Sequence, residues 1–275
     1  MIIKTFTEFN TLEMLARLNS VWTVLVKRIS SSRNYLLKKT MQNKKIKIEI
    51  WSDIVCPFCF IGKKKMDLAI AKLKLEDQVD LTWRSFQLDP DFPLNTSIST
   101  NEYLVQRKGY PQEQVNQMTS QLKEQGKTYN IDFQFEKARS FNTLDAHRLI
   151  QYAKKEGKSN ELKESLMLNY FTNGIDLSKK ENLLHIINQM GLDIEKAKQV
   201  IETKAYQEEI ENDIIKAKHL GIRGVPYFLI NEKLTISGAQ QDNVFENVLV
   251  TTLKNLTSVE NNIQGEECSP DGDCC

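Results

Sequence analysis

No run of 18 or more apolar residues occurs in this chain, so nothing in it reads as a membrane-spanning helix. Nor is there an excess of one charge. Lys and Arg number 37 against 36 Asp and Glu, a net charge of +1, which offers no basic face to nucleic acid or anionic lipid. Cysteine is scarce: five in 275 residues is an odd count and too few for a disulfide-stapled scaffold, as expected in a reducing cytosol. Histidine is scarcer, with His147, His185 and His219 scattered. No second Cys-x-x-Cys or His-x-x-x-His pair completes a four-ligand zinc site, so no metal is expected. Between residues 99 and 220 the only proline is Pro111, which leaves helices there uninterrupted. With 40% apolar and 27% charged residues and no internal repeat, the chain can form one large domain or two small ones.

What is present is Cys56-Pro57-Phe58-Cys59. Ile46, Ile48 and Ile50 alternate with Lys47, Glu49 and Trp51, a period of two that predicts a strand over 45–51. A helix is expected over 59–74, so the cysteines stand where a strand turns into a helix. That helix end directs unpaired N–H groups and the positive end of its dipole toward Cys56, favouring a thiolate there. Pro57 suits the first turn, and Cys59 lies one turn along, in reach of a mixed disulfide on Cys56. Thiol–disulfide exchange is the chemistry this spacing predicts. It needs no cofactor beyond the two thiols.

A second strand is expected at 79–86, parallel to the first through a right-handed crossover, ended by Pro90 and Pro93. From about 99 to 220 the pattern is helical, with segments at 100–107, 112–125, 143–156, 161–171, 179–190, 194–203 and 206–219. Gly157, Gly174, Gly191 and Gly221 stand where left-handed caps are wanted, and Thr143 and Ser178 are candidate N-caps. Pro226 opens the apolar run Tyr227-Phe228-Leu229-Ile230, a place a strand tolerates proline. Strands at 227–230 and 234–237 form a hairpin through Asn231-Glu232-Lys233, and a closing helix follows at 243–256.

Four segments carry a resemblance: Ser52 to Cys59, Trp83 to Leu88, Asn142 to Leu149, and Gly221 to Ile230 with Ser237 to Gln240. On these, the chain resembles the DsbA-type thioredoxin-fold oxidoreductases, and among them the FrnE-like branch. The resemblance implies an α/β thioredoxin fold with a large all-α helical insertion domain. Its parts are an N-terminal extension (1–44), the first half of the thioredoxin fold (45–98), the insertion (99–220), the second half (221–256) and a cysteine-containing tail (257–275). It also implies a cis Val225–Pro226 peptide, with the Val225 backbone facing the reactive sulfur as an edge for an extended substrate chain. Cys56 would attack and Cys59 resolve. Phe58 offers an apolar tip for a flexible chain but no donor, which implies a disulfide less oxidising than that of a Pro-His pair.

Glu49 and Asp53 are candidates for a buried carboxylate that takes the proton from Cys59; the alternative for each is a solvated strand charge. His147 matches the family motif and is a candidate for the groove facing Cys56. Cys268, Cys274 and Cys275 suit a shuttle disulfide or a soft-metal site, the resemblance favouring the redox role, beside the simpler reading of a disordered tail. Protein thiols or disulfides and glutathione are the expected partners, in the cytoplasm. Before Met41 the charges follow the short apolar run 21–26 instead of preceding it, so a wrongly chosen start codon is favoured over a leader. Two other functions compete: a kappa-type glutathione-dependent transferase or isomerase on a small hydrophobic substrate, and a non-enzymatic peptide-binding holdase.

Overall fold

In the computed structural model, residues 45–263 are described, with side chains to residue 256. The 1–44 extension and Cys268, Cys274 and Cys275 lie outside the described residues. Strand β1 (Ile46–Ser52) is central to a four-stranded sheet of order β2-β1-β5-β6. β2 (Val79–Ser85) runs parallel to it from Ile46↔Val79 to Ser52↔Ser85, and β5 (Tyr227–Ile230) and β6 (Leu234–Ser237) complete an antiparallel hairpin. Asn231 and Glu232 take positive φ in the three-residue connection Asn231-Glu232-Lys233, and Asn231 Oδ1 accepts the Lys47 N–H at 2.9 Å.

The alternation in β1 sorts its two faces. Ile46, Ile48 and Ile50 are buried in the main core with helix α1 (Pro57–Leu73). Phe228 on β5 meets Phe245 edge to face at 5.2 Å, Phe245 lying on the closing helix. Gly62 of α1 sits where a Cβ would come within 3.0 Å of Pro226, so its lack of a side chain lets α1 approach the strand that carries the proline. On the other face Trp51 packs with Ala217, Ile222 and Leu229, and its Nε1 donates to the Asp213 carbonyl at 2.9 Å. The Asp213 carboxylate accepts from Ser85 N, Arg84 and Gln151, tying the insertion to the sheet through a buried charge with several partners.

Between the strands the insertion supplies α2 (Thr100–Glu102, continued as a π-helical turn Tyr103–Arg107), α3 (Gln112–Thr128), α4 (Leu144–Lys155), α5 (Ser159–Phe171), α6 (Lys180–Gln189), α7 (Ile194–Glu202) and α8 (Gln207–His219). The closing helix α9 runs Asp242–Ile263, seven residues past its expected end. The four expected glycine caps all have positive φ.

Two expectations change. The insertion is not wholly helical: β3 (Ser97–Ser99) pairs antiparallel with β4 (Arg139–Phe141), and residues 129–143 form no α-helix. Ile131, Phe133 and Phe135 are buried in alternation with Asp132, Gln134 and Glu136, a period of two inside a helical region. The capping also differs. Thr143 holds the N-cap of α4 without a side-chain bond, Asn142 Oδ1 taking the Leu144 N–H at 3.0 Å; Lys179, not Ser178, precedes α6, and the Ser178 hydroxyl is turned to Asp176.

Phe228 is fully buried between α1 and α9. Phe228→Ala should destabilise the fold by about 3–5 kcal/mol, read as a lower denaturation midpoint in urea with the slope unchanged.

Candidate active site

Asp53, Ile54 and Val55 turn β1 into α1, and Cys56 takes the N-cap position with extended backbone, φ −93° and ψ 110°. Its carbonyl accepts the Cys59 N–H at 3.1 Å, so the two cysteines close the first turn of the helix. Both are free thiols and both are buried, Cys56 at 3% and Cys59 at 1% exposure. The Val225–Pro226 peptide is cis, and the Cys56 thiol points at the Val225 carbonyl, Sγ to O 3.6 Å.

Cys56 alone of the pair borders a cavity of about 340 Å³ between the motif and the insertion. Its walls are largely apolar and include Tyr103, Leu104, Met118 and Phe135. Phe58, 44% exposed, stands among the lining residues, as does Val225; both candidates therefore lie beside Cys56.

Behind the sulfurs lies a buried polar cluster. Asp53 Oδ1 accepts the Ile54 N–H at 2.7 Å and faces His147 Nε2 at 3.3 Å, while Oδ2 accepts the Leu88 N–H at 2.8 Å. Burial pushes this carboxyl up, but the His147 contact, the Leu88 bond and the charge of Lys163 outweigh it and hold Asp53 below its ordinary value. An ionised carboxylate only accepts, so the bridging proton belongs to His147 Nε2. Burial holds the His147 imidazole below its usual range against the pull of Asp53. His147 thus stands beneath the site, bonded to Asp53, and is not among the cavity-lining residues.

Glu49 is not brought to the pair. The same alternation that points Ile48 and Ile50 at the core puts Glu49 on the opposite face with Trp51. There Arg84 and Lys216 take its carboxylate.

The two sulfurs hydrogen-bond each other and ionising one opposes ionising the other, so their protons leave in separate steps. The bond to Cys59 and burial raise Cys56 well above the ordinary thiol range. Around Cys59 burial opposes ionisation, yet hydrogen bonds from Cys56 and Ser52 and the charge of Lys163 hold it lower. The expectation of a thiolate resident on Cys56 is thus modified. Those donors draw charge toward Cys59, the helix end draws it toward Cys56, and the S–H···S contact gives the proton a path between them.

Ser52 and Lys163 were missed in the sequence. Lys163 carried a signal, because Leu166, Met167 and Tyr170 share its helix face at spacings of three, four and seven, and all are buried.

A family model described as the DSBA-like thioredoxin domain matches residues 47–250. An uncharacterized protein of Bacillus subtilis, YwbO, is 27% identical over 207 residues, 74% of this chain and 96% of that one. The crystal structure of a probable DsbA oxidoreductase from Streptomyces coelicolor has a TM-score of 0.72 at 28% identity, covering 84% of this chain and 99% of that one. A 2-hydroxychromene-2-carboxylate isomerase superposes with a TM-score of 0.59 at 12% identity, over 79% of this chain and 98% of its own, a likeness of fold.

The folded state favours a neutral His147, so below its ordinary value of 6.5 the unfolded chain takes up a proton the folded chain resists. Stability should therefore fall on acidification through that window, and Asp53 adds a further loss below its ordinary 3.8. Urea midpoints measured from neutral to acidic pH should decline less steeply below 6.5 in His147→Gln than in wild type. Equal slopes would remove His147 as the titrating group.

Proposed function

The chain belongs to the DSBA-like thioredoxin domain family, and from that premise we propose that it is a thiol–disulfide oxidoreductase working through Cys56 and Cys59. The observation that carries this reading is the pair itself: two free thiols in one helical turn, the first against the Val225 carbonyl and open to a cavity. Cys56 thiolate attacks one sulfur of a substrate disulfide; the other substrate sulfur leaves as a thiolate and is protonated. Cys59 then loses its proton and attacks the Cys56 sulfur, forming the Cys56–Cys59 disulfide and releasing the second substrate thiol. Two electrons pass from the pair to the substrate, and the reverse sequence oxidises a dithiol. The Val225 backbone supplies an edge along which an extended chain can pair while its sulfur reaches Cys56. Protein thiols and disulfides, with glutathione as the small-thiol partner, are the proposed substrates, and the cytoplasm the proposed compartment. Direction would follow from the potential of the pair relative to that compartment.

The cavity favours a second reading. A volume of about 340 Å³ with apolar walls also fits a small hydrophobic molecule, as a kappa-type glutathione-dependent isomerase or transferase would require. That chemistry has no use for Cys59.

Cys56→Ser should abolish insulin reduction, and Cys59→Ala should trap mixed disulfides on Cys56, seen as a mass increase that a reductant removes. Full dithiol turnover by the Cys59 variant would overturn the resolving role. Cys59→Ser also separates the two readings: the isomerase reading requires glutathione-dependent turnover of a small substrate to survive it, and the exchange reading requires insulin reduction to be lost.

A further inference from the structure

Lys163 is a member of the buried cluster that the exchange steps above leave unused. It comes from α5 in the insertion and is 1% exposed. Its Nζ makes a single long hydrogen bond, 3.4 Å to the Ser52 carbonyl, and lies 5.3 Å from the centre of the Trp83 ring. Among the described residues no carboxylate lies within ion-pair distance of it. Asp53, the acid of the cluster, already has Ile54 N, Leu88 N and His147 on its oxygens. An ammonium carries three N–H donors, so this one is buried with donors to spare. The titratable groups that act on it are Asp53 from the β1–α1 turn and Cys59 and Cys56 from α1; His147 from α4 and the Trp83 ring from β2 complete its surroundings. Ser52 connects the two sides, its carbonyl accepting from Lys163 while its hydroxyl reaches Cys59.

We propose that Lys163 is the fixed counter-charge of the reduced pair, a positioning residue supplied by the helical insertion that stabilises the one thiolate Cys56 and Cys59 share. The proposal rests on the exchange reading and adds what sets its poise. Burial lowers the Lys163 ammonium to about 8, which leaves it mostly charged at neutral pH. Once the reduced pair has lost its first proton, Lys163 faces one S⁻ and one S–H. Oxidation sends two electrons to the substrate disulfide and the remaining thiol proton to a departing substrate thiolate, while Lys163 keeps its own proton. The thiolate has then gone and the cation faces only Asp53. Lys163 therefore favours the reduced state and makes the disulfide a stronger oxidant, offsetting the missing donor at Phe58. Coupling of this kind is reciprocal, so the thiolate must in turn hold the proton on Lys163.

The test uses the full chain. In Lys163→Met, the thiolate fraction near neutral pH, read from the pH profile of iodoacetamide alkylation of Cys56, should fall about tenfold. The equilibrium constant against glutathione should shift about tenfold toward the disulfide, or about 30 mV for two electrons. A folded variant with both values unchanged overturns the proposal. A variant that fails to fold leaves the decision to the wild type, where NMR of the Lys163 side chain should titrate at higher pH in the dithiol than in the disulfide form. Equal midpoints overturn the proposal. A wild-type chain whose alkylation depends on Lys163 but which never exchanges with glutathione would retire the exchange reading and keep the counter-charge.

Discussion

A single buried carboxylate organises the ground beneath the cysteines. Asp53 closes the β1–α1 turn through Ile54, anchors the chain leaving β2 through Leu88, and meets α4 of the insertion through His147. Two of the three bonds reach other elements, and an ionised acid at 1% exposure cannot remain there without such partners. The position of the Cys56–Cys59 turn relative to both the sheet and the insertion therefore depends on one side chain three residues upstream. Neutralising it would release a turn, a loop and a helix together.

The insertion meets the thioredoxin half at three chemically different places. On the far face of the sheet it contributes Asp213 and the Trp51 packing, a structural joint. Beneath the sulfurs it contributes His147 and Lys163, which shape charge. Above Cys56 it contributes Tyr103, Leu104 and Met118, which shape access. Fold alone leaves the activity open, since sites and not scaffolds determine chemistry. The intact cysteine pair and the charges set around it are the features on which the proposed disulfide exchange rests.

Much of this was legible because it depends on local pattern. The period of two in β1 and β2, the strand-to-helix position of Cys56 and Cys59, Pro226 opening β5 and the Asn231 turn all express backbone preferences over a few residues. Glu49 misled for a related reason. Its alternation with Ile48 and Ile50 already assigned it to the opposite face from the core, where Arg84 and Lys216 await it. Residues 126–142 fell between two expected helices of an insertion read as all-α, and the alternation of Ile131, Phe133 and Phe135 there was too short to stand out as extended chain. Lys163 was overlooked for a different reason. A lysine on an apolar helix face can reach out to solvent along its own stem, and only the packing of α5 behind the sulfurs denies it that route.

Burial of both sulfurs narrows the kind of partner the site can take. Cys56 and Cys59 are shielded from bulk solvent, and the sulfur that borders the cavity does so among apolar walls. A thiolate in such surroundings needs compensation from fixed groups, because water cannot provide it. Apart from the helix end, which borders the cavity, those groups are absent from its lining: Ser52, Lys163 and the Asp53–His147 pair. The division leaves the cavity side largely apolar, with Lys108 its one charged lining residue. A partner can therefore approach Cys56 by removing apolar surface from water, without displacing the ions that activate the sulfur. Phe58, exposed at the same cavity, extends that surface outward. In the proposed exchange, apolar contact and the buried polar groups would thus act on one sulfur from different directions.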